Sequence, residues 1–447
     1  MELKKQPILN VGIMTGKEIT FVLETSYRYN NNMLSQGTYT VKIKGSKFIL
    51  EGQELFVITE EEIALIPVFR TNSFLLKGVT IGIAFHWEQL EDQRFTGGLR
   101  FIMEENAIRV INTVHLEDYL KSVISSEMSA TSSGDLLRAH AVISRSWLLA
   151  QVEKMQGLAH SSEEYSSSEV SEEEVVRWYD REDHVRFEVC ADDHCQRYHG
   201  ITKIISAKAA EAVDDTAGEV LVYDNTICDA RFSKCCGGVS ESFENNWEPL
   251  PKPYLIAVAD KDPLGKPPEM DLRDETAAVK WITSAPRAFC NTHDQHILSQ
   301  VLPDFDQKTT DFYRWQVEYS QATLKELIHR KSGIDFGEII ALEPLTRGFS
   351  GRIIRLRIRG TLKTMVVGKE LEIRKWLSES HLYSSAFTVE YIGGSGEIPQ
   401  TIRLVGAGWG HGTGLCQIGA AVMGEKGYGY RQILSHYFVG SETKKLY

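Results

Sequence analysis

The sequence predicts a mixed α+β fold: a β-rich N-terminal unit over residues 1–90, then a mixed α/β core with a long cleft over residues 91–447. Three observations carry that expectation. Early runs such as Tyr39-Thr40-Val41-Lys42-Ile43 alternate between turn residues, which is the pattern of half-buried strands. From Phe95 the chain keeps alternating and then changes at Leu116 to helical spacing. With 447 residues, 42% hydrophobic and 25% charged, the chain is long enough for two or three packed units.

The helix opening at Leu116 places Leu116, Leu120, Val123 and Glu127 at i, i+4, i+7 and i+11, so a carboxylate ends an otherwise apolar stripe. Burial there favours the protonated acid and suits Glu127 to general acid work. The plainer alternative is the exposed last turn of a fraying helix. A second helix is expected from the capping-type run Ser132-Ser133-Gly134-Asp135 to about Gln156, with His140, Ser144 and Trp147 on one face. Residues 157–178 include Ser161-Ser162-Glu163-Glu164 and Glu172-Glu173-Glu174, and read as an acidic, solvated, mobile insertion.

Next comes Asp183-His184-Val185-Arg186-Phe187-Glu188-Val189-Cys190-Ala191-Asp192-Asp193-His194-Cys195. Two thiolates and two imidazoles are a closed tetrahedral zinc set, so His184, Cys190, His194 and Cys195 are candidate metal ligands. A Cys190–Cys195 disulfide, or plain thiols, are the alternatives. Seven cysteines are too few for a disulfide scaffold. For Cys416, small-residue packing is a better account than nucleophilic catalysis.

Residues 260–330 carry little pattern and read as a variable insertion, with helical spacing at Leu324 to Arg330. A strand around Ile353 to Ile358 and a helix near Glu370 to Leu377 lead into Gly406-Ala407-Gly408-Trp409-Gly410-His411-Gly412-Thr413-Gly414-Leu415-Cys416-Gln417. Those glycines allow positive φ and close approach of backbone to a ligand. No Gly-Lys-Ser/Thr follows, so this is no phosphate loop. Read alone, the segment is equally a tight hairpin in which His411 is a satisfied partner. A net charge of −12 without a basic stripe argues against nucleic acid, and no run of about 18 apolar residues exists to span a membrane.

The ordered blocks resemble the SpoIID/LytB family, which includes stage II sporulation protein D and the amidase enhancers. They are Val114-His115-Leu116-Glu117-Asp118-Tyr119-Leu120, Ser126-Glu127-Met128, Leu137-Arg138-Ala139-His140 through Arg145-Ser146-Trp147, and Asp214-Asp215-Thr216-Ala217-Gly218. Ala230-Arg231-Phe232-Ser233-Lys234-Cys235-Cys236-Gly237-Gly238, Pro253-Tyr254-Leu255 and the Gly-Trp-Gly-His-Gly segment complete the set, over roughly residues 95–440. The resemblance implies a lytic transglycosylase cutting the MurNAc-GlcNAc bond of peptidoglycan, with Glu127 as single acid and base and a 1,6-anhydromuramyl product. It also implies that His140, Arg145, Trp409, His411 and Gln417 bind substrate, although the family more often has Gln at position 140, and Arg145 alternatively only pairs with an acidic neighbour.

For the His and Cys cluster the resemblance implies a structural zinc in the order His, Cys, His, Cys. Its expected partners are glycan strands lacking stem peptides and a cell-wall amidase. Its expected location is the cell envelope, periplasmic or extracellular, with a leader removed, because the N-terminal Met-Glu-Leu-Lys-Lys-Gln-Pro has no signal-type apolar core. Two rivals stand beside this reading: a non-catalytic wall-binding enhancer of an amidase, which has no need of Glu127 on an apolar stripe, and a zinc hydrolase, which needs an open metal position.

Overall fold

The computed structural model describes residues 5–447 apart from 54, 83–88, 130, 159–167, 179–183, 185, 193–194, 203–205 and 302–308. Its first half is built on two facing antiparallel sheets. One has six strands, 89–96, 73–81, 18–23, 37–44, 47–52 and 55–59; the other has 8–16, 107–115, 98–104, 63–67 and the pair 27–29 and 32–34, with Val189–Cys190 added in parallel at one edge. Alternation drives this pairing. Tyr39 and Val41 point inward while Thr38 and Thr40 do not, and Phe21 of one sheet meets Phe101 of the other with ring centroids 5.2 Å apart.

The β unit does not stop near residue 90. Gln89–Thr96 pairs with Ser73–Ile81, and Ala107–His115 with Ile8–Gly16, so the sandwich closes only at His115. The last hairpin turns on Glu105 and Asn106, with φ of 48° and 65°. Two consecutive positive φ values give a turn whose twist matches that of the strands it joins.

Helix α1, Leu116–Glu127, follows without a linker, and α2, Gly134–Leu158, packs beside it. Glu117 and Asp118 lie in the first turn of α1, where acidic charge suits the helix dipole. Leu116, Leu120 and Val123 are wholly buried. Helix α2 is enclosed on nearly all sides along its middle, so His140, Ser144 and Arg145 are each 0% exposed.

Arg145, expected to reach substrate, instead forms a buried ion pair. Its Nε and Nη2 donate to Glu117 Oε1 and Oε2 at 3.0 and 2.6 Å, and Nη1 donates to the Glu219 carbonyl at 2.9 Å. Glu117 Oε1 also accepts from Gly218 N–H at 3.2 Å and from the Tyr447 hydroxyl. The pair ties α1, α2, the strand Glu219–Tyr223 and the C-terminal residue to one point. The guanidinium has no reach left for a ligand. His140 is also sealed: its Nε2 faces the Gln417 amide at 3.3 Å, and Nδ1 lies 3.2 Å from Ser144 Oγ.

The second half folds back on a separate core. Strands 339–347, 353–360 and 364–368 form a sheet with 174–177 and 168–170, and 314–320, 401–407 and 387–392 form another. Val175, Trp315, Leu324, Ile339, Leu356 and Leu404 fill the space between. The acidic insertion, expected to be a solvated loop, is therefore structured over Ser168–Val170 and Glu174–Arg177. Val175 is 6% exposed there, because Glu174–Arg177 pairs in parallel with Thr364–Gly368. After the glycine segment, the helices Gln417–Glu425 and Tyr430–Tyr437 and the strand Glu442–Lys445 return the chain to the first core, the strand pairing with Glu219–Tyr223.

Removing one partner of a buried ion pair strands the other charge, so Arg145→Met lowers unfolding free energy by about 3–5 kcal/mol in urea titration. Glu117→Leu in the same chain restores a large part of that loss; no restoration would mean that the pair does not act as a unit. Burial, together with the charge of Lys234, pushes the His140 pKa down to about 3. The unfolded chain then binds the extra proton below pH 6.5, so stability falls as pH drops from about 6.5 toward 3, by at most about 1.4 kcal/mol per pH unit from this group. Denaturant midpoints measured across that window should show a shallower acid slope in His140→Gln.

Candidate functional site

The residues expected to act on glycan are carried by three pieces: the end of α1, the inner face of α2 and the glycine segment. Glu127 is the last residue of α1 and is half-buried, neither sealed on the apolar stripe nor frayed into solvent. Its Oε1 accepts from the Arg197 N–H at 3.4 Å. The preceding Gln196 is buried, and its Nε2 donates to the Ser144 carbonyl of α2 at 3.3 Å. Glu127 is thus tied through one short segment to the middle of α2.

The glycine segment reaches α2 from the other side. Gly412 has φ 78°, and a Cβ there would lie 2.4 Å from Arg352 Cζ, so no side chain fits. Arg352 is 1% exposed. It donates to the Gly410 carbonyl at 3.0 Å, the Cys236 carbonyl at 3.1 Å and Ser350 Oγ at 3.0 Å. This guanidinium holds the glycine segment against the Cys-Cys-Gly-Gly loop. Trp409 exchanges backbone hydrogen bonds with Cys235 at 2.7 and 3.0 Å. Its half-exposed indole sits between Phe312 and Tyr383, with centroids 4.6 and 4.2 Å away.

His411 is half-buried. Nδ1 accepts from Thr413 N–H at 3.1 Å, which assigns the neutral ring proton to Nε2. Burial and the guanidinium charges of Arg231, Arg352 and Arg374 hold its pKa well below the usual range, against the carbonyl of Phe232. At neutral pH, His411 is therefore a neutral donor. Trp247 meets it edge-on at 5.0 Å, and Arg231 lies over that indole at 4.2 Å and 5.9 Å from Trp147 of α2. Gln417 is 2% exposed and braces His140.

The structure thus separates the expected set. Glu127, Trp409 and His411 keep accessible surface, whereas His140, Arg145 and Gln417 are enclosed and position their neighbours. Arg231, Trp247, Arg352, Phe312 and Tyr383 were missed, because their roles come from partners up to 180 residues away. Only Arg231 stood inside a motif.

Of the metal candidates, His184, Cys190 and Cys195 come together with ligand atoms within 4.8 Å of one another. His194 lies outside the described residues. Cys195 Sγ is 3.5 Å from His184 Nε2, against about 3.5 Å for a thiolate and an imidazole on one tetrahedral zinc. Cys190 N–H donates to Cys195 Sγ at 3.4 Å. Both residues are thiols. The donor set fits zinc. The Tyr119 hydroxyl is 3.5 Å from Gln196 Oε1, and burial pushes that phenol well above its usual range.

Residues 104–223 match the family described as Stage II sporulation protein, and residues 241–414 match a domain of unknown function (DUF8618). Among curated proteins, an uncharacterised protein of Brachyspira hyodysenteriae is 23% identical over 90% of this chain and 88% of its own length. Stage II sporulation protein D of Bacillus amyloliquefaciens is 22% identical over 89% of this chain and 95% of its own. An amidase enhancer of Bacillus subtilis is 22% identical over 52% of this chain and 32% of its own. The first match contains α1, Glu127, α2 and the Arg145 anchor, so residues 104–223 are similar to the Stage II sporulation protein family, and the likeness to a stage II sporulation protein D runs along most of the chain.

Proposed function

We propose that the chain is a peptidoglycan lytic transglycosylase with Glu127 as its single acid and base. The observation that carries this reading is a lone half-exposed carboxylate closing the apolar stripe of α1, with one oxygen oriented by the Arg197 N–H. The protonated acid gives its proton to the glycosidic oxygen as the bond from muramic acid C1 breaks. The carboxylate then takes the proton of the C6 hydroxyl as that oxygen closes on C1. No water is consumed, and Glu127 ends protonated as it began, which is why one carboxylate suffices where hydrolytic glycosidases need two. The attacking hydroxyl belongs to the same sugar, so its entropic cost is already met. Trp409 and neutral His411, both half-buried, bring aromatic and imidazole surface to the glycine segment.

In this reading His184, Cys190 and Cys195 hold a zinc that pins the loop carrying Arg197, and the metal serves geometry. The cell wall as target is supported by the sporulation and amidase-enhancer relatives. The latter favours one other reading, a non-catalytic enhancer of a peptidoglycan amidase.

Glu127→Gln should cut release of 1,6-anhydromuramyl products from peptide-free glycan strands by about 10²- to 10⁴-fold, read by mass spectrometry, with an unchanged unfolding transition. Undiminished product would remove Glu127 from the chemistry; no anhydro product from either protein, together with stimulation of an amidase, would favour the enhancer. Cys190→Ser should lower bound zinc by one equivalent per chain in elemental analysis, and an unchanged metal content would reduce that cluster to thiols.

A further inference from the structure

A different set of soft ligands lies beneath the glycine segment, far in sequence from the His184 cluster. Cys236 Sγ is 3.6 Å from Cys290 Sγ. Cys416 Sγ accepts from Cys236 N–H at 3.2 Å, and Asp260 Oδ2 accepts from Cys290 N–H at 2.8 Å. The three sulfurs and an Asp260 oxygen all fall within 4.8 Å of one another, and all four residues are buried. We infer that Cys236, Cys290, Cys416 and Asp260 form a second zinc site, structural in role and independent of both the His184 cluster and the proposed glycan chemistry.

Distance favours a metal over a covalent link. Two thiolates at about 2.3 Å from a tetrahedral zinc stand about 3.8 Å apart, close to the Cys236–Cys290 separation, whereas a disulfide needs about 2.05 Å. Charge gives an independent reason. Asp260 is 0% exposed and receives the Tyr437 hydroxyl at 2.6 Å and the Cys290 N–H. His436 lies beside it, with Nε2 3.8 Å away and Nδ1 accepting from Gly265 N–H at 2.9 Å. Among the described residues no Lys or Arg pairs with this carboxylate, and a buried carboxylate without a cation is costly. A divalent ion in the thiol pocket offsets that charge.

The sulfur chemistry agrees. Cys416 is the N-cap of the helix Gln417–Glu425, where the dipole favours a thiolate. Thiolates with one carboxylate select zinc over magnesium or calcium. Small-residue packing, expected for Cys416 from sequence, explains the sulfurs but not a buried carboxylate among them. The ion would staple three segments: the Cys-Cys-Gly-Gly loop that pairs with Trp409, the 241–414 region through Asp260 and Cys290, and the turn into Gln417.

The test uses the full chain loaded with zinc and freed of excess by gel filtration. Zinc that remains in Cys190→Ser and disappears in Cys190→Ser with Asp260→Asn or with Cys290→Ser supports the site, whatever the first cluster or the glycan assay does. Since Cys290→Ser carries a risk of misfolding, Cys190→Ser is also loaded with cobalt(II). Thiolate-to-cobalt charge-transfer bands with tetrahedral visible bands support the proposal. A folded Cys190→Ser chain that takes up neither metal, or a mapped Cys236–Cys290 disulfide, overturns it.

Discussion

The buried pair of Arg145 and Glu117 is the constraint on which the rest is hung. It sits where α1, α2, the strand Glu219–Tyr223 and Tyr447 converge, and the two charges satisfy each other and the backbone around them. An ion pair of this kind adds little net energy over apolar packing, yet it tolerates few geometries, because any shift leaves a buried charge exposed to low dielectric. The consequence is positional. With α1 fixed against α2, the carboxylate at the end of α1 and the aromatic and imidazole groups near α2 keep a set relation.

That relation is carried by short polar links. Glu127 reaches α2 through Arg197, Gln196 and Ser144, while the glycine segment reaches it through Gln417 and His140. His140 and His411 are both held neutral by burial and neighbouring cations. Neutral donors and acceptors in such a setting avoid the cost of a desolvated charge.

The second half of the chain brings Arg352, Phe312 and Tyr383 against the glycine segment, and its Asp260 and Cys290 meet Cys236 and Cys416. Both candidate metal clusters thus lie under loops that carry site residues. Such loops have little regular structure of their own, and a cross-link beneath them limits their motion.

Local pattern alone determined a β-rich N-terminal unit, the switch at Leu116 and the extent of α2. Alternation, helical spacing and glycine density are properties of neighbouring residues, and short-range sterics and burial enforce them. The ordered motifs added the resemblance to stage II sporulation proteins and the candidate acid. Tertiary structure decided what charge and burial do at a distance. It enclosed Arg145, His140 and Gln417, turned Glu174–Arg177 into a strand, carried the β unit on to His115, and set Asp260 among three cysteines. No sequence window holds those outcomes, because each depends on which partner satisfies a buried polar group, and the partners are brought together only when the two cores close.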